Sequence, residues 1–202
     1  MHIDLASLSP LEIYAAMTQT IVPRPVAWIL TENENASFNL APYSYFNAIS
    51  SVPPMGIVSV TIAPDRDIKD TRHNLETRGD CVIHIAHKEM AAAMTASSAS
   101  IDRDVSEVSE LGLETVAMPG SRLPRLKDAR VAYAGKLVDT KMINRQWLAF
   151  IEFTDIHIAD ELVSEDAKGR LKVDASKLDP IGRLGGGEYV TAGEVIYIER
   201  PA

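Results

Sequence analysis

The apolar residues of this chain fall into short runs separated by turn-forming residues, which is the pattern of strands. Val26, Ala27, Trp28, Ile29 and Leu30 make the first run. Asn33, Glu34 and Asn35 then tolerate a left-handed turn, so positions 28–41 read as a hairpin. Positions 56–61 are β-branched and strand-like, and 81–86 form a further strand. Positions 131–138 and 147–158 read as a second hairpin around 140–144. Val195, Ile196, Tyr197 and Ile198 predict a late strand, with Pro201 suited to a sheet edge.

Helices are fewer and clearly punctuated. Ser9 as N-cap, Pro10 at the first position and Glu12 closing a capping box start a helix that runs to about Met17. Asp70 caps a second helix, which Gly79 stops. Positions 88–96 and 104–111 complete the set, the last halted by Gly112. Strands outnumber helices, and no regular crossover helices separate them. The order favours a mainly β fold, an antiparallel barrel with inserted helices, over a doubly wound sheet. No repeat or linker divides the 202 residues, so one domain over 1–202 is expected.

Composition narrows the function by exclusion. A formal net charge of −8 opposes sequence-independent nucleic-acid binding, which needs a basic face. No run of eighteen or so apolar residues is present to span a bilayer, and no signal peptide opens the chain. The one cysteine, Cys81, agrees with a reducing cytoplasm and reads as buried and inert within its apolar run. An acidic chain that binds an anion must gather a few positive groups locally, which draws attention to each Arg or Lys near a helix start.

The run from 39 to 51 departs from simple alternation. Tyr43, Tyr45 and Phe46 crowd one stretch, with Asn39, Ser44, Asn47 and Ser50 interleaved, before Val52, Pro53 and Pro54. Aromatic walls beside amides and hydroxyls suit a flat, hydrogen-bonding heteroaromatic ligand. A plain strand–turn–strand with proline punctuation fits the run equally well.

A second segment, Asp67 to Asn74, combines a helix start with Lys69, Arg72, the Thr71 hydroxyl and the Asn74 amide. The first turn of a helix offers unpaired N–H groups and a positive partial charge, so a phosphate would be held well there. A capped surface helix with solvated charges accounts for the same residues. Arg24 sits between Pro23 and Pro25, whose restricted backbones would present a guanidinium rigidly. Near the C-terminus, Arg183, Gly185, Gly186, Gly187 and Tyr189 form a flexible loop that does not spell a dinucleotide fingerprint.

Other chemistries find no support. His84, His87 and His157 lack carboxylate or cysteine partners at ligand spacing, so no metal site is expected. No Gly-x-Ser-x-Gly elbow is present, and no catalytic side chain is assigned. What remains is a site that grips an anionic aromatic molecule and leaves the chemistry to it.

With these stretches assembled, the chain resembles the flavin-reductase-like family of FMN-binding split barrels. Four ordered stretches carry the resemblance. They are Pro23-Arg24-Pro25; Asn39 to Asn47 with Pro53-Pro54; Lys69-Asp70-Thr71 with Asn74; and Arg183-Leu184-Gly185-Gly186 with Tyr189. The resemblance implies a six-stranded antiparallel Greek-key split barrel that forms a homodimer and binds FMN at the subunit interface. It places Asn39, Leu40, Ala41, Pro42, Tyr43 and Ser44 along the flavin ring and ribityl chain, with Phe46 and Asn47 close by. It places Lys69, Asp70, Thr71 and Asn74 at the cofactor's phosphate end, together with Arg24, and closes the pocket with Arg183 and Tyr189. One departure is the first hairpin turn, where the family often has glycine and this chain has Asn33, Glu34 and Asn35.

The activity this implies is an oxidoreductase in which NADH or NADPH gives hydride to flavin N5, with reduced flavin serving a monooxygenase or another acceptor. A non-catalytic FMN electron carrier of flavoredoxin type, reduced by protein partners, would use the same pocket. A pyridoxamine-phosphate oxidase-like enzyme ranks last, because its basic substrate-phosphate cluster is not evident.

Overall fold

The computed structural model describes residues 1–62 and 68–199. Asp67, which opens the second candidate segment, and Pro201 lie outside the described residues. Seven strands form the main sheet: β1 (Ala27–Glu32), β2 (Phe38–Tyr43), β3 (Phe46–Ser51), β4 (Pro54–Thr61), β5 (Asp80–Ile85), β6 (Val131–Ile143) and β7 (Gln146–Ile158). They are ordered β2-β1-β5-β6-β7-β4-β3, and every pairing is antiparallel. The sheet's two outer strands, β2 and β3, are consecutive in the chain, with only Ser44 and Tyr45 between them. A flat sheet could not be bridged by so short a link, so the sheet curls until its ends approach.

The expectation of six strands is corrected to seven. The additional strand is β3, whose mixed residues do not alternate because it lies at a sheet edge with little buried surface to pattern. Residues 195–198, expected as a strand, have no regular structure, since no sheet edge receives them. The second hairpin is longer than its apolar pattern, with both strands continuing to a turn at Asn144 (φ 51°). In the first turn the left-handed residue is Ala36 (φ 63°), not an asparagine. Asn35 Oδ1 instead accepts from the Ser37 N–H at 2.9 Å.

Helix α1 (Pro10–Thr20) has the expected capping box between Ser9 and Glu12, and it continues past Met17 to Thr20. Helix α2 (Asp70–Arg78) ends at Gly79, whose φ of 80° favours glycine. Lys69 occupies its N-cap and Asp70 the first helical position, so Asp70 is not the cap. The segment 88–96 splits into a 3₁₀ turn (Lys88–Met90) and α3 (Ala91–Ala96). The helix expected over 104–111 shortens to α4 (Glu107–Glu110), because Asp104 turns left-handed (φ 65°) and Ser106 becomes the cap. Among the described residues, no helix is long and apolar enough to cross a membrane.

Burial explains the two continuous apolar runs. Trp28, Leu30 and Val82 pack into one core cluster, while Ala27, Ile29, Cys81 and Ile83 pack into another. Successive side chains of a strand point to opposite faces. β1 and β5 therefore divide two cores and are apolar on both sides, whereas β7 contributes Trp147, Ala149 and Ile151 to one cluster alone.

His84 sits at this central position with no exposed surface. Its Nδ1 lies 3.0 Å from the Trp28 carbonyl, and its Nε2 is 3.0 Å from the Leu126 N–H. A carbonyl accepts and an N–H donates, so the ring is the neutral Nδ1–H tautomer. Burial pushes its pKa down to about 4. Because the folded state resists a proton that the unfolded chain takes up near pH 6.5, this stabilisation is present above that pH. It is lost as the pH falls towards 4. Urea midpoints should therefore decline across this window, and His84→Gln should flatten that part of the profile; an unchanged profile in the variant would refute the assignment.

Candidate functional site

The two segments singled out in the sequence meet. Asn39, Ala41, Pro42 and Tyr43 of β2 face Lys69, Asp70 and Thr71 at the start of α2 across a cleft of about 110 Å³. The third wall is the 97–101 loop, with Glu107 of α4. Sequence reasoning missed this wall. Its signal was the small, hydroxyl-rich run Ser97, Ser98, Ala99 and Ser100 directly after an alanine-rich helix.

Each wall has a physical anchor. The Trp28 indole N–H donates to Ser97 Oγ at 2.9 Å, and that hydroxyl donates to the Met94 carbonyl at 2.8 Å. The loop is thereby tied to central strand β1. On the outer edge of β2, Ser106 Oγ donates to the Phe38 carbonyl at 2.6 Å, and the Leu40 N–H donates to Glu107 Oε2 at 2.9 Å. Side chains of the α4 start thus stand in for a neighbouring strand, and Pro42 offers no N–H to continue one.

Behind the cleft lies a buried polar network. Asn39 Nδ2 donates to Thr31 Oγ1 at 3.0 Å and to Thr71 Oγ1 at 2.9 Å. Tyr43 OH donates to the same Thr71 oxygen at 2.9 Å. Burial pushes the Tyr43 phenol well above its ordinary pKa, so it remains a protonated donor. The Thr71 oxygen is thus shared between the Asn39 amide and the Tyr43 phenol, which fix its position at the start of α2. Asn74 Nδ2 donates to Thr31 Oγ1 at 3.1 Å and Asn33 Oδ1 at 2.9 Å. Asn74 is buried by these bonds, which brace α2 against the first hairpin, and it is not among the residues that line the cleft.

At the mouth, the Lys69 ammonium stands 5.6 Å from the Tyr43 ring centroid. Arg103, from the loop before α4, approaches Asp70 Oδ1 at 3.3 Å and donates to the Ile68 carbonyl at 3.1 Å. Helix α2 begins without a side-chain cap, since lysine has no acceptor to offer its first N–H groups.

Other candidate residues lie elsewhere. Arg24 is 7% exposed and donates to the carbonyls of Thr18, Ile21 and Leu184, so its guanidinium joins the end of α1 to the C-terminal loop. Arg183 pairs in register with Arg24 and stacks 4.7 Å from the Tyr189 ring centroid. None of these three lines the cleft of this chain. The Leu40 side chain is buried in a core cluster, Ser44 lies in the link between β2 and β3, and Phe46 and Asn47 are on β3. Cys81 is buried, and burial pushes its thiol up to about 12, which leaves it inert.

The sequence model for the flavin reductase like domain matches residues 18–172. The chain belongs to that family. Among solved structures, nitrilotriacetate monooxygenase component B from Bacillus cereus is 28% identical, with a TM-score of 0.87 over 98% of each chain. The 2-nitrobenzoate 2-nitroreductase NbaA from Pseudomonas fluorescens is 26% identical, with a TM-score of 0.88 over 100% of this chain and 96% of that one. Flavoredoxin of Desulfovibrio vulgaris shares the fold at 18% identity, with a TM-score of 0.75 over 98% of this chain and 97% of its own. The curled seven-stranded sheet is the family's split barrel.

The geometry separates support from contact. Arg24→Met should cost about 2–4 kcal/mol in urea denaturation, because one buried and two part-buried carbonyls lose their donor. A loss below about 0.5 kcal/mol would show that those bonds do not hold the C-terminal loop.

Proposed function

We propose that this family member is an FMN-binding oxidoreductase, with FMN phosphate at the start of α2 and the flavin ring along β2. One observation supports this above the others: the Thr71 hydroxyl, fixed by Asn39 and Tyr43, lines the cleft at a helix start that has no side-chain cap and is flanked by Lys69. A phosphate offers only acceptors at neutral pH, which is what this donor set accommodates. Ala41 and Pro42, the partly exposed residues of β2 in the cleft, provide a narrow floor beside it, with Asn39 and Tyr43 buried behind them.

Bound FMN would supply the redox chemistry, taking hydride from NADH or NADPH at N5 and handing electrons onward. The chain's own residues hold and orient. Lys69 and the first N–H groups of α2 neutralise the anion, Thr71 fixes its register, and Tyr43 and Asn39 fix Thr71. The 97–101 loop, tied through Ser97 to Trp28, limits how far the ligand reaches. No side chain is assigned as acid or base. The cleft of about 110 Å³ is well below the roughly 300–1,000 Å³ of pockets that enclose a small ligand. A homodimer, whose second copy covers the exposed part of the flavin, accounts for the difference. We read residues 1–202 as one functional unit of the reducing cytoplasm, consistent with the single buried Cys81.

Two measurements test this reading. The purified protein should take up FMN, and anaerobic mixing with NADH or NADPH should bleach the visible flavin band. Uptake without bleaching by either nucleotide would leave an electron carrier in place of a reductase, and no uptake would overturn the flavin reading. Lys69→Ala combined with Thr71→Val should raise the FMN dissociation constant at least tenfold, since each charge-assisted bond contributes about 1.5–3 kcal/mol. Arg24→Met should leave it within about threefold, as expected for a residue that only supports the fold.

A further inference from the structure

The segment expected as a final strand is strand-like in sequence and unpaired in structure. Val195, Ile196, Tyr197 and Ile198 are 59%, 69%, 88% and 77% exposed, in succession. Among the described residues, none from 193 to 199 takes part in a backbone hydrogen bond. Four adjacent apolar side chains with strong strand preference and free backbone groups make an uncovered adhesive segment. None of the described residues pairs with it.

The main sheet has two ends, and they are treated differently. The β2 end is closed: Ser106 and Glu107 use the outward groups of Phe38 and Leu40, and Pro42 carries no N–H. The β3 end is open, because β3 pairs only with β4 among the described residues. Edge strands are ordinarily shielded by charged side chains or a covering element. Residues 46–56 contain no charged side chain, and Ile49 and Val52 are 47% and 89% exposed. An uncharged open edge and an unpaired apolar strand are complementary in both hydrogen bonding and hydrophobicity.

We propose that residues 194–199 add as a strand to the β3 edge of a second copy of this chain, each copy giving its tail to the other. The inference rests on the two-copy assembly proposed above and names the segments that make it. Each exchange pairs free backbone groups on both partners and covers the tail's apolar residues together with Ile49 and Val52. The flanking Glu194 and Glu199 remain at the rim, in water. Reciprocity closes the assembly at two copies, because each open edge then has its tail.

Sedimentation and cross-linking test this directly. The full chain should be a dimer, and ending it after Gly193 should raise the dimer dissociation constant at least tenfold while leaving the melting transition of each subunit cooperative. The tail makes no core contacts, so loss of folding is not expected. With Cys81 buried, Tyr197→Cys combined with Ser50→Cys provides a clean reporter. Oxidation should join two chains through these positions. An unchanged dissociation constant on tail removal, a bond formed within one chain, or no bond at all would overturn the exchange. A full-length monomer would overturn the two-copy assembly along with it. FMN uptake, read separately from the visible spectrum, distinguishes failure of this inference from failure of the flavin reading.

Discussion

The cleft depends on one shared hydroxyl. Thr71 lies where α2 meets β2, and its oxygen receives hydrogen bonds from both Asn39 and Tyr43. Buried polar groups are costly unless satisfied, so these three side chains have a narrow set of joint arrangements. Through Asn39 the constraint passes to Thr31, and through Thr31 to Asn74 and the first hairpin. The helix start, the edge strand and the hairpin thus share one hydrogen-bonded unit. A cleft wall cannot shift alone without leaving a donor or acceptor unpaired.

The surrounding architecture protects that unit. β1 and β5 are buried on both faces and form a rigid partition between two apolar clusters. His84 is held neutral within that partition, where its two ring nitrogens satisfy a carbonyl and an N–H from different elements. Trp28 reaches from the same partition to Ser97 and so carries its rigidity to the far wall of the cleft. Loops gain precision from such ties, since a loop position is otherwise set by weak local preferences.

Edges set the other theme of the molecule. Among the described residues, the sheet closes one end with side chains of α4 and exposes the other, and residues 195–198 pair with no strand. Curling brings the ends of the sheet near each other, but it does not pair them. Exposed apolar side chains occur elsewhere too, as at Leu11 and Tyr14 of α1, but at β3 and residues 195–198 they coincide with unpaired strand-forming backbone.

Local sequence determined what local physics governs. The capping box at Ser9 and Glu12, the glycine stop at Gly79 and the apolar strand runs of β1 and β5 were all legible, because each depends on neighbours within a few residues. Tertiary structure decided the rest. Arg24, flanked by prolines, reads locally as a presented guanidinium, yet it is buried and donates to the nearby carbonyls of Thr18 and Ile21 and to that of the distant Leu184. Asn74 reads as a phosphate donor, yet Thr31 and Asn33 take both bonds from its amide nitrogen. The 97–101 wall lies far along the chain from β2, and residues 195–198 kept the composition of a strand but found no edge. Side-chain type and spacing can specify a helix start or an apolar face. Which polar groups are used up by the fold, and which remain for a ligand, is settled only when segments far apart in sequence compete for the same hydrogen bonds.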